Sequence, residues 1–373
     1  MTLITICTIL CTLIFFIGTN QQRVIDCPIN GFDGKWKFYI DRKIVVLFAI
    51  VLICVSTMRY GWIDTYAYKE MYVASRGDLA YVNSAPYGVE AGWLYFCYFL
   101  NFFSASPKLL LLISAIIIVG GYVSVIQKFS CDPIFSLIIF FCVLYMDTNN
   151  GLRQMVAASI IIMAYPLLMD RRVWKYIVFV LIVLLAMQLH TSASVCLFVA
   201  AVVIGKPFNK RVQLAMLFGV LFCLMPGLIN QYIGDMFNDS KYLNYLEMSG
   251  GMTFFRAFVT GVFPAILAVC YLIKYKKSGI VIGYEEGILI NILLINTMFI
   301  MMGTYMQYWN RMGFYTAFAP VVLMPKMTYD MFIREQRRLI KVMAILCYFI
   351  FFAYNIYVNI GYGAIKDFYI SWK

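Results

Sequence analysis

The segment 109–127, LLLLISAIIIVGGYVSVIQ, contains no charged residue. A helix needs about 20 apolar residues to cross the hydrocarbon core of a bilayer, so this segment predicts a membrane-spanning helix. Similar apolar runs recur along the chain, at 2–19, 44–58, 133–147, 154–169, 173–189, 191–205, 212–229, 255–273, 286–303, 312–325 and 340–360. Together with 109–127 they predict about twelve transmembrane helices.

The composition of the 373-residue chain excludes a soluble protein. Residues of the set AVILMFWYC make up 63% of the chain, charged residues make up 13%, and the mean hydropathy is +0.82. A soluble domain carries about 25% charged residues, so most of this surface must face lipid. We therefore expect an all-α, polytopic membrane protein in which residues 1–373 form a single integral-membrane domain.

Basic residues in the loops predict the orientation of the spans. Twenty of the 30 Lys and Arg residues fall in one alternating set of loops, which the positive-inside rule places in the cytoplasm. The net charge of +12 therefore reflects topology and gives no reason to expect a nucleic-acid partner. The run 2–19 follows no basic residue and ends in no small-residue cleavage site, so we interpret it as a retained span.

This topology places both termini outside and is consistent only if the apolar run 89–103 does not cross the membrane. We expect that run to form an interfacial or re-entrant helix at the outer face, because Trp93, Tyr95 and Tyr98 suit the membrane interface.

Cysteine and histidine usage indicates neither a metal nor a cofactor. The eleven cysteines are odd in number, form no C-x-x-C pair and lie mostly in apolar runs, where cysteine acts as a small hydrophobe. His190 is the only histidine, and the chain has no Asp-x-Asp pair. We expect no disulfide framework, no metal site and no cofactor.

Four arginines break the positive-inside pattern because they lie at span edges on the outer face: Arg59, Arg153, Arg256 and Arg311. In the predicted topology Arg153, Arg256 and Arg311 lie in the first turns of their helices, where the helix dipole disfavours a cation. A bound anion would reverse this effect, since helix N-termini and arginine both bind phosphate. The alternative is that these arginines snorkel to lipid headgroups. Polar neighbours favour a binding site at two of them: Gln154 beside Arg153, and Gln307 and Asn310 beside Arg311.

The outer loop 59–88 combines carboxylates with aromatic residues. Asp64 lies in it and Glu90 just beyond it, beside rings that include Trp62 and Tyr68. Sugar hydroxyls need acceptors and sugar C–H faces stack on rings, so the pattern favours a carbohydrate; the alternative is an aromatic belt with solvated charges. The second outer loop, 230–253, is polar and could act as a lid.

His190 follows the predicted span 173–189 at the outer face. A neutral imidazole there can accept a proton from a hydroxyl near pH 7. A histidine that only caps the helix C-terminus is an equal alternative, because the helix dipole favours a cation at that end.

These residues lie in five short motifs that carry a family resemblance. MRYGWIDTYAYKEMY (58–72), EAGW (90–93), GLRQMVAASI (151–160), QLHTSA (188–193) and RMGFYTAFAPVVLMP (311–325) occur in this order. The chain resembles the EpsG branch of the Wzy-type polymerases of bacterial surface polysaccharide, over roughly residues 40–325. Each motif is weak alone, and the specificity lies in the ordered set.

The resemblance implies a metal-independent glycosyltransferase of GT-C-like architecture. Such a polymerase joins undecaprenyl-pyrophosphate-linked repeat units on the outer face of the bacterial inner membrane, by moving the growing glycan to the non-reducing end of a new lipid-linked unit. The glycan would be O-antigen of lipopolysaccharide, capsule or exopolysaccharide. Implied partners are the lipid-linked donor and acceptor, membrane lipid, a chain-length regulator and a flippase.

The chemistry that this reaction needs gives the candidate residues their roles. Arg153 and Arg311 would bind the donor pyrophosphate, with Arg59 and Arg256 as weaker candidates. His190, Asp64 and Glu90 are candidate bases for the acceptor hydroxyl.

Three other classes remain as alternatives. A flippase of lipid-linked sugars would use the same cationic site, but we find no internal repeat of broken helices. A membrane O-acyltransferase would need its histidine nearer the start of the chain than His190. A purely structural subunit would leave the outer arginines unexplained.

Overall fold

The computed structural model describes residues 3–25, 37–62, 64–225, 252–332 and 335–361. Apart from one two-stranded ribbon, the regular elements in these ranges are helical. They are, in chain order, α1 Leu3–Gln21, β1 Arg23–Ile25, β2 Lys37–Tyr39, α2 Arg42–Met58, α3 Thr65–Ala74, α4 Leu79–Ser84, α5 Ala91–Asn101, α6 Lys108–Phe129, α7 Pro133–Ile139, α8 Tyr145–Thr148, α9 Leu152–Ala164, α10 Val173–Met187, α11 Val195–Val203, α12 Lys210–Leu224, α13 Phe254–Ala257, α14 Phe263–Lys277, α15 Tyr284–Met302, α16 Gln307–Gly313, α17 Phe318–Met331 and α18 Arg337–Gly361.

Short 3-10 and π segments extend several of these helices. The π segment Phe140–Leu144 joins α7 to α8, and Phe258–Val262 joins α13 to α14. The 3-10 turns are Pro86–Gly88, Tyr165–Met169 and Thr191–Ser194.

The expectation of an all-α membrane protein is confirmed. In the described part of the chain, six helical segments are long and apolar enough to cross a membrane: Ile4–Gln21, Lys108–Phe129, Leu152–Met169, Phe254–Lys277, Tyr284–Met302 and Arg337–Val358. Shorter apolar helices cover Pro133–Thr148, Val173–Met187 and Thr191–Val203. The count of twelve spans stays a prediction. At 11 residues, α5 is shorter than a span requires.

Residue packing groups the described chain into two compact units, and the single integral-membrane domain stays a prediction. The first unit contains α1 to α10, the ribbon, and α18 from Lys341 onward. Its centre is formed by α2, α6 and α9, while α1 packs against α2 and α10 packs against α9. At Gly121 of α6 a Cβ atom would lie only 3.1 Å from the Cβ of Ser159, so α6 and α9 approach closely.

A buried ion pair connects three segments of the first unit. Asp132 is fully buried and accepts hydrogen bonds from Lys341 Nζ at 2.6 Å and Gln22 Nε2 at 2.6 Å. Its Oδ1 also accepts from the backbone N of Phe135 at 3.1 Å, which caps the start of α7. One carboxylate thereby ties the chain after α1 and the start of α7 to α18.

The second unit, Val195–Ile340, is built around α15, which is buried along nearly its whole length. Polar side chains of α15 fix the surrounding loops. Asn291 Nδ2 donates to the carbonyl oxygens of Val203 and Lys206, and Asn296 Nδ2 donates to Gly313 O at 2.9 Å. Gly219 of α12 allows a close approach to α15, since a Cβ at this position would lie 2.5 Å from Met298 Cγ.

The predicted span 312–325 differs from the structure. The chain forms the short helix α16, then a turn over 314–317, and only then α17. The run 212–229 corresponds to α12 up to Leu224, and its last residues lie outside the described ranges.

Candidate active site

The first unit brings three of the predicted site residues into one cluster. Glu90 immediately precedes α5, Arg153 lies in the first turn of α9, and His190 follows the C-terminus of α10. Arg153 lies 63 residues from Glu90 in the chain, and Thr191, which follows His190, lies 101 residues from Glu90. We call Glu90, Arg153, His190 and Thr191 the carboxylate cluster.

The carboxylate of Glu90 is the centre of this cluster. Its Oε1 lies 3.0 Å from His190 Nδ1 and accepts hydrogen bonds from Thr191 N at 2.9 Å and Thr191 Oγ1 at 3.2 Å. Its Oε2 accepts a charge-assisted hydrogen bond from Arg153 Nη1. Both carboxylate oxygens are therefore engaged by protein groups.

These contacts determine the protonation of Glu90. Burial by itself would raise the pKa of the carboxyl group, but the contact with His190, the hydrogen bond from Thr191 N and the charge of Arg153 outweigh burial and lower the pKa to about 2. Glu90 is thus a stable anion at neutral pH and a weak proton acceptor.

A close backbone approach sets the position of Glu90. A Cβ atom at Gly92 would lie 2.4 Å from the backbone oxygen of Gln188, a distance that side chains do not tolerate. Only glycine lets the start of α5 lie against the end of α10 this closely. Because Glu90 and His190 each lie two residues from this contact, it holds their side chains within reach of each other.

Arg153 enters the cluster from a helix start, as predicted. Gly151 precedes α9 in a left-handed conformation with φ of 60°, which favours glycine. The Nε of Arg153 is buried and has no hydrogen-bond partner among the described residues. An unpaired buried donor costs about 1–3 kcal/mol, so this edge of the guanidinium is suited to an added acceptor. The neighbouring Gln154 donates to Ser192 Oγ at 3.3 Å.

Tyr68 and Trp93 form an aromatic wall beside Arg153. Tyr68 is buried and interacts with Arg153, and its ring centroid lies 5.7 Å from that of Trp93 in an edge-on arrangement. Burial, helped by the charge of Asp64, raises the pKa of Tyr68 against the opposing effect of Arg153. The phenol therefore stays protonated and can donate a hydrogen bond.

The other predicted residues of the outer loop lie around this wall. Asp64 precedes α3, and its side chain makes no capping hydrogen bond there. Trp62 is only 2% exposed, so its ring is not open for a sugar to stack on.

Arg59 is enclosed, with 2% exposure. It lies at the C-terminus of α2, and its Nη1 donates to the carbonyl oxygen of Ser56 and to Asn149 Oδ1 at 3.0 Å. Its Nε donates to Thr65 Oγ1 at 3.3 Å. These contacts support α2 and the turn before α9, and substrate binding by Arg59 stays a prediction.

Arg256 and Arg311 belong to the second unit. Arg256 lies in the first turn of the helix Phe254–Lys277, as predicted. The prediction that Arg311 begins a helix is wrong, because Arg311 lies in the last turn of α16. A cation is favoured at a helix C-terminus, so the dipole argument for an anion does not apply to Arg311. The predicted lid 230–253 lies outside the described residues except at 252 and 253.

The sequence interpretation missed the roles of Gly92 and Thr191. Both lie inside the motifs EAGW and QLHTSA, directly beside the residues that were singled out. Their motif membership was the available signal. Among the described residues no group of three or more His, Cys, Asp or Glu side chains could hold a metal ion.

Comparison with known protein families gives a match. The profile of the EpsG family matches residues 42–369, a range that contains all four residues of the carboxylate cluster. No curated protein and no solved structure matches the chain.

Proposed function

The chain belongs to the EpsG family, and on this premise we propose that it polymerises undecaprenyl-pyrophosphate-linked oligosaccharide repeat units. The growing glycan on its lipid carrier is the donor, and a hydroxyl at the non-reducing end of a new lipid-linked unit is the acceptor. The match over most of the chain supports the polymerase class, and the carboxylate cluster supplies the chemistry.

The reaction exchanges one bond for another. The acceptor oxygen forms a glycosidic bond to the anomeric carbon of the donor sugar, while the bond from that carbon to the pyrophosphate oxygen breaks. Undecaprenyl pyrophosphate leaves with the bonding electrons, and the acceptor proton goes to His190 Nε2. The leaving group needs charge stabilisation more than a proton, and a positioned guanidinium provides it.

The observation that carries this proposal is the arrangement of Arg153 and His190 on one carboxylate. His190 is 25% exposed at its side chain and is therefore open to an acceptor, while Arg153 has an unpaired buried Nε next to it in the cluster. A basic group and a phosphate-binding group thus contact the same carboxylate and lie close together. The transfer of a sugar from a pyrophosphate to a hydroxyl requires such a pair.

Other candidate residues of the first unit surround Arg153 and His190. Gln154 and Tyr68 donate hydrogen bonds to the substrate beside Arg153. Arg59 and Trp62 are buried and support the packing of the site. Asp64 is the second candidate base. Pyrophosphate binding by Arg256 and Arg311 stays a prediction from the sequence.

The proposed reaction takes place at a membrane and involves partner proteins. We place the protein in the bacterial inner membrane with about twelve spans, a GT-C-like architecture and a site facing outward, and we expect catalysis without a metal. The glycan is an O-antigen, capsule or exopolysaccharide, and a flippase and a chain-length regulator act with the polymerase.

The test is the surface glycan of the parent strain. Arg153→Ala should leave single repeat units on the surface, with the protein still present in the membrane. Arg172→Ala is the matched control, because Arg172 is 62% exposed and pairs with Asp170 away from the cluster; this variant should make normal long chains. Long chains from Arg153→Ala would refute the proposal. Loss of even the single unit would indicate a flippase instead.

A further inference from the structure

We propose that Glu90 is a positioning residue that acts through His190 and Arg153, and not the base that takes the acceptor proton. This inference rests on the proposed function and assigns the base at that same site. It removes one of the three candidate bases and gives its carboxylate a different task.

Both carboxylate oxygens of Glu90 are already in contact with other protein groups. Oε1 is occupied by His190 and by two donors of Thr191, and Oε2 by Arg153. A base must approach the acceptor hydroxyl within about 2.6–3.2 Å. Glu90 could do so only by giving up a charge-assisted contact. Its pKa of about 2 gives it little affinity for a proton in any case.

The position of Glu90 determines which ring nitrogen of His190 can accept a proton. Glu90 Oε1 lies 3.0 Å from His190 Nδ1, although this contact does not have the angle of a hydrogen bond. The negative charge beside Nδ1 favours the tautomer that carries its proton there, which leaves Nε2 as the proton acceptor. None of the described residues forms a hydrogen bond to Nε2. Thr191, the next residue in the chain, ties the same carboxylate oxygen to the backbone, so ring and carboxylate are held together.

Glu90 also orients the guanidinium of Arg153. Glu90 engages the guanidinium through Nη1, and the Nε atom has no hydrogen-bond partner among the described residues. Phosphate is bound bidentately by adjacent nitrogens of a guanidinium. By holding Nη1, the carboxylate of Glu90 presents the Nε side of Arg153 to the donor pyrophosphate while it orients His190.

The ionisable groups around this assembly come from three segments. They are Glu90 and Cys97 of the α5 segment, Arg153 of α9, and Tyr68 and Asp64 of the α3 segment. Among these, Glu90 alone contacts both His190 and Arg153. Removing the charge of Glu90 should therefore change proton transfer to His190 more than removing the charge of any other group in this set.

A double-mutant cycle tests the assignment. Purified wild-type protein, Glu90→Gln, His190→Gln and the double variant are assayed with the undecaprenyl-pyrophosphate-linked repeat unit extracted from a parent strain that lacks this protein. We expect Glu90→Gln to lower kcat by about 10- to 100-fold. In the His190→Gln background the same change should cost less than about threefold, because two residues that act as a unit are not additive.

The pH profile gives a readout that a purely structural role would not change. Without the carboxylate the protonated imidazole loses its neighbouring negative charge, so the acid limb of kcat/KM for Glu90→Gln should move to lower pH. Asp170→Asn is the matched control, since Asp170 also accepts hydrogen bonds from an arginine but lies outside the cluster. Its rate and profile should equal those of wild type.

Two results would overturn the inference. One is the same fold loss from Glu90→Gln in both backgrounds, which would make Glu90 independent of His190. The other is wild-type kcat for Glu90→Gln. If Glu90→Gln does not fold, Glu90→Asp carries the same cycle, because it keeps the charge but withdraws the carboxylate by one methylene. Absence of polymer from wild-type protein would instead refute the proposed function.

Discussion

Replacement of Gly92 by alanine would test how the site is held together. A Cβ atom at this position would lie 2.4 Å from the backbone oxygen of Gln188 and 2.7 Å from its Cβ. Ordinary van der Waals contacts begin at 3.4 Å, so the two segments must separate by about 1 Å. Because the obstacle includes backbone, a change of rotamer cannot relieve it.

The separation would act directly on the carboxylate cluster. The 3.0 Å contact from Glu90 to His190 and the 2.9 Å hydrogen bond from Thr191 would lengthen to about 4 Å, beyond the range of a hydrogen bond. Overpacking costs about 1–3 kcal/mol of stability, and a base misplaced by about 1 Å costs about 100-fold in rate. We expect losses of this size from Gly92→Ala.

The control is the same substitution at a glycine with free space. Gly120 lies inside α6, and a Cβ there would meet nothing within 4 Å. Alanine is favoured over glycine in a helix interior by about 0.5–1 kcal/mol, so Gly120→Ala should be at least as stable as wild type. Both variants are compared by thermal unfolding in detergent and by the rate of polymer formation on extracted lipid-linked units. Equal activity of Gly92→Ala and Gly120→Ala would refute the argument that this close approach sets the site.

Arg153→Lys keeps the positive charge but loses the planar pair of donors, so the rate of polymer formation by the purified protein should fall by about 10-fold or more; an unchanged rate would count against pyrophosphate binding. Asp132→Asn leaves the Lys341 ammonium without its carboxylate and should lower the free energy of unfolding by about 3 kcal/mol. Adding Lys341→Met should restore part of that loss, as measured by thermal unfolding, and a further loss would contradict the reasoning. The pKa of Glu90 is about 2 in the folded protein against an ordinary 4.5, so its carboxylate stabilises the fold above pH 4.5 and loses this effect as the pH falls through about 2. The unfolding temperatures of wild type and Glu90→Gln should therefore converge across that window.

The helical membrane architecture could be predicted because it depends on composition and apolar run length. Glu90, Arg153 and His190 could each be singled out from local features. Their assembly could not, because contacts between residues 63 and 101 positions apart depend on how α5, α9 and α10 pack. The sharing of one carboxylate, which changes Glu90 from a candidate base to a positioning residue, is a consequence of that packing.

At Arg311 the helix start predicted from the apolar run was wrong. The run 312–325 contains no charged residue and so predicted one helix that begins at Arg311. In the structure α16 instead packs back on the end of α15, where a Cβ at Gly303 would lie 2.7 Å from the Cβ of Asn310. A turn follows at 314–317 before α17 begins. Composition does not distinguish a continuous apolar helix from two apolar helices joined by a tight turn.

The most direct test of the central claim is the product balance of the purified protein in lipid vesicles. Supplied only with the extracted undecaprenyl-pyrophosphate-linked unit, wild-type protein should form a ladder of longer glycans and release one undecaprenyl pyrophosphate for each bond formed. His190→Gln should slow both by about 100-fold or more. A wild-type protein that forms no ladder, or a His190→Gln variant that forms it at the wild-type rate, would contradict the account.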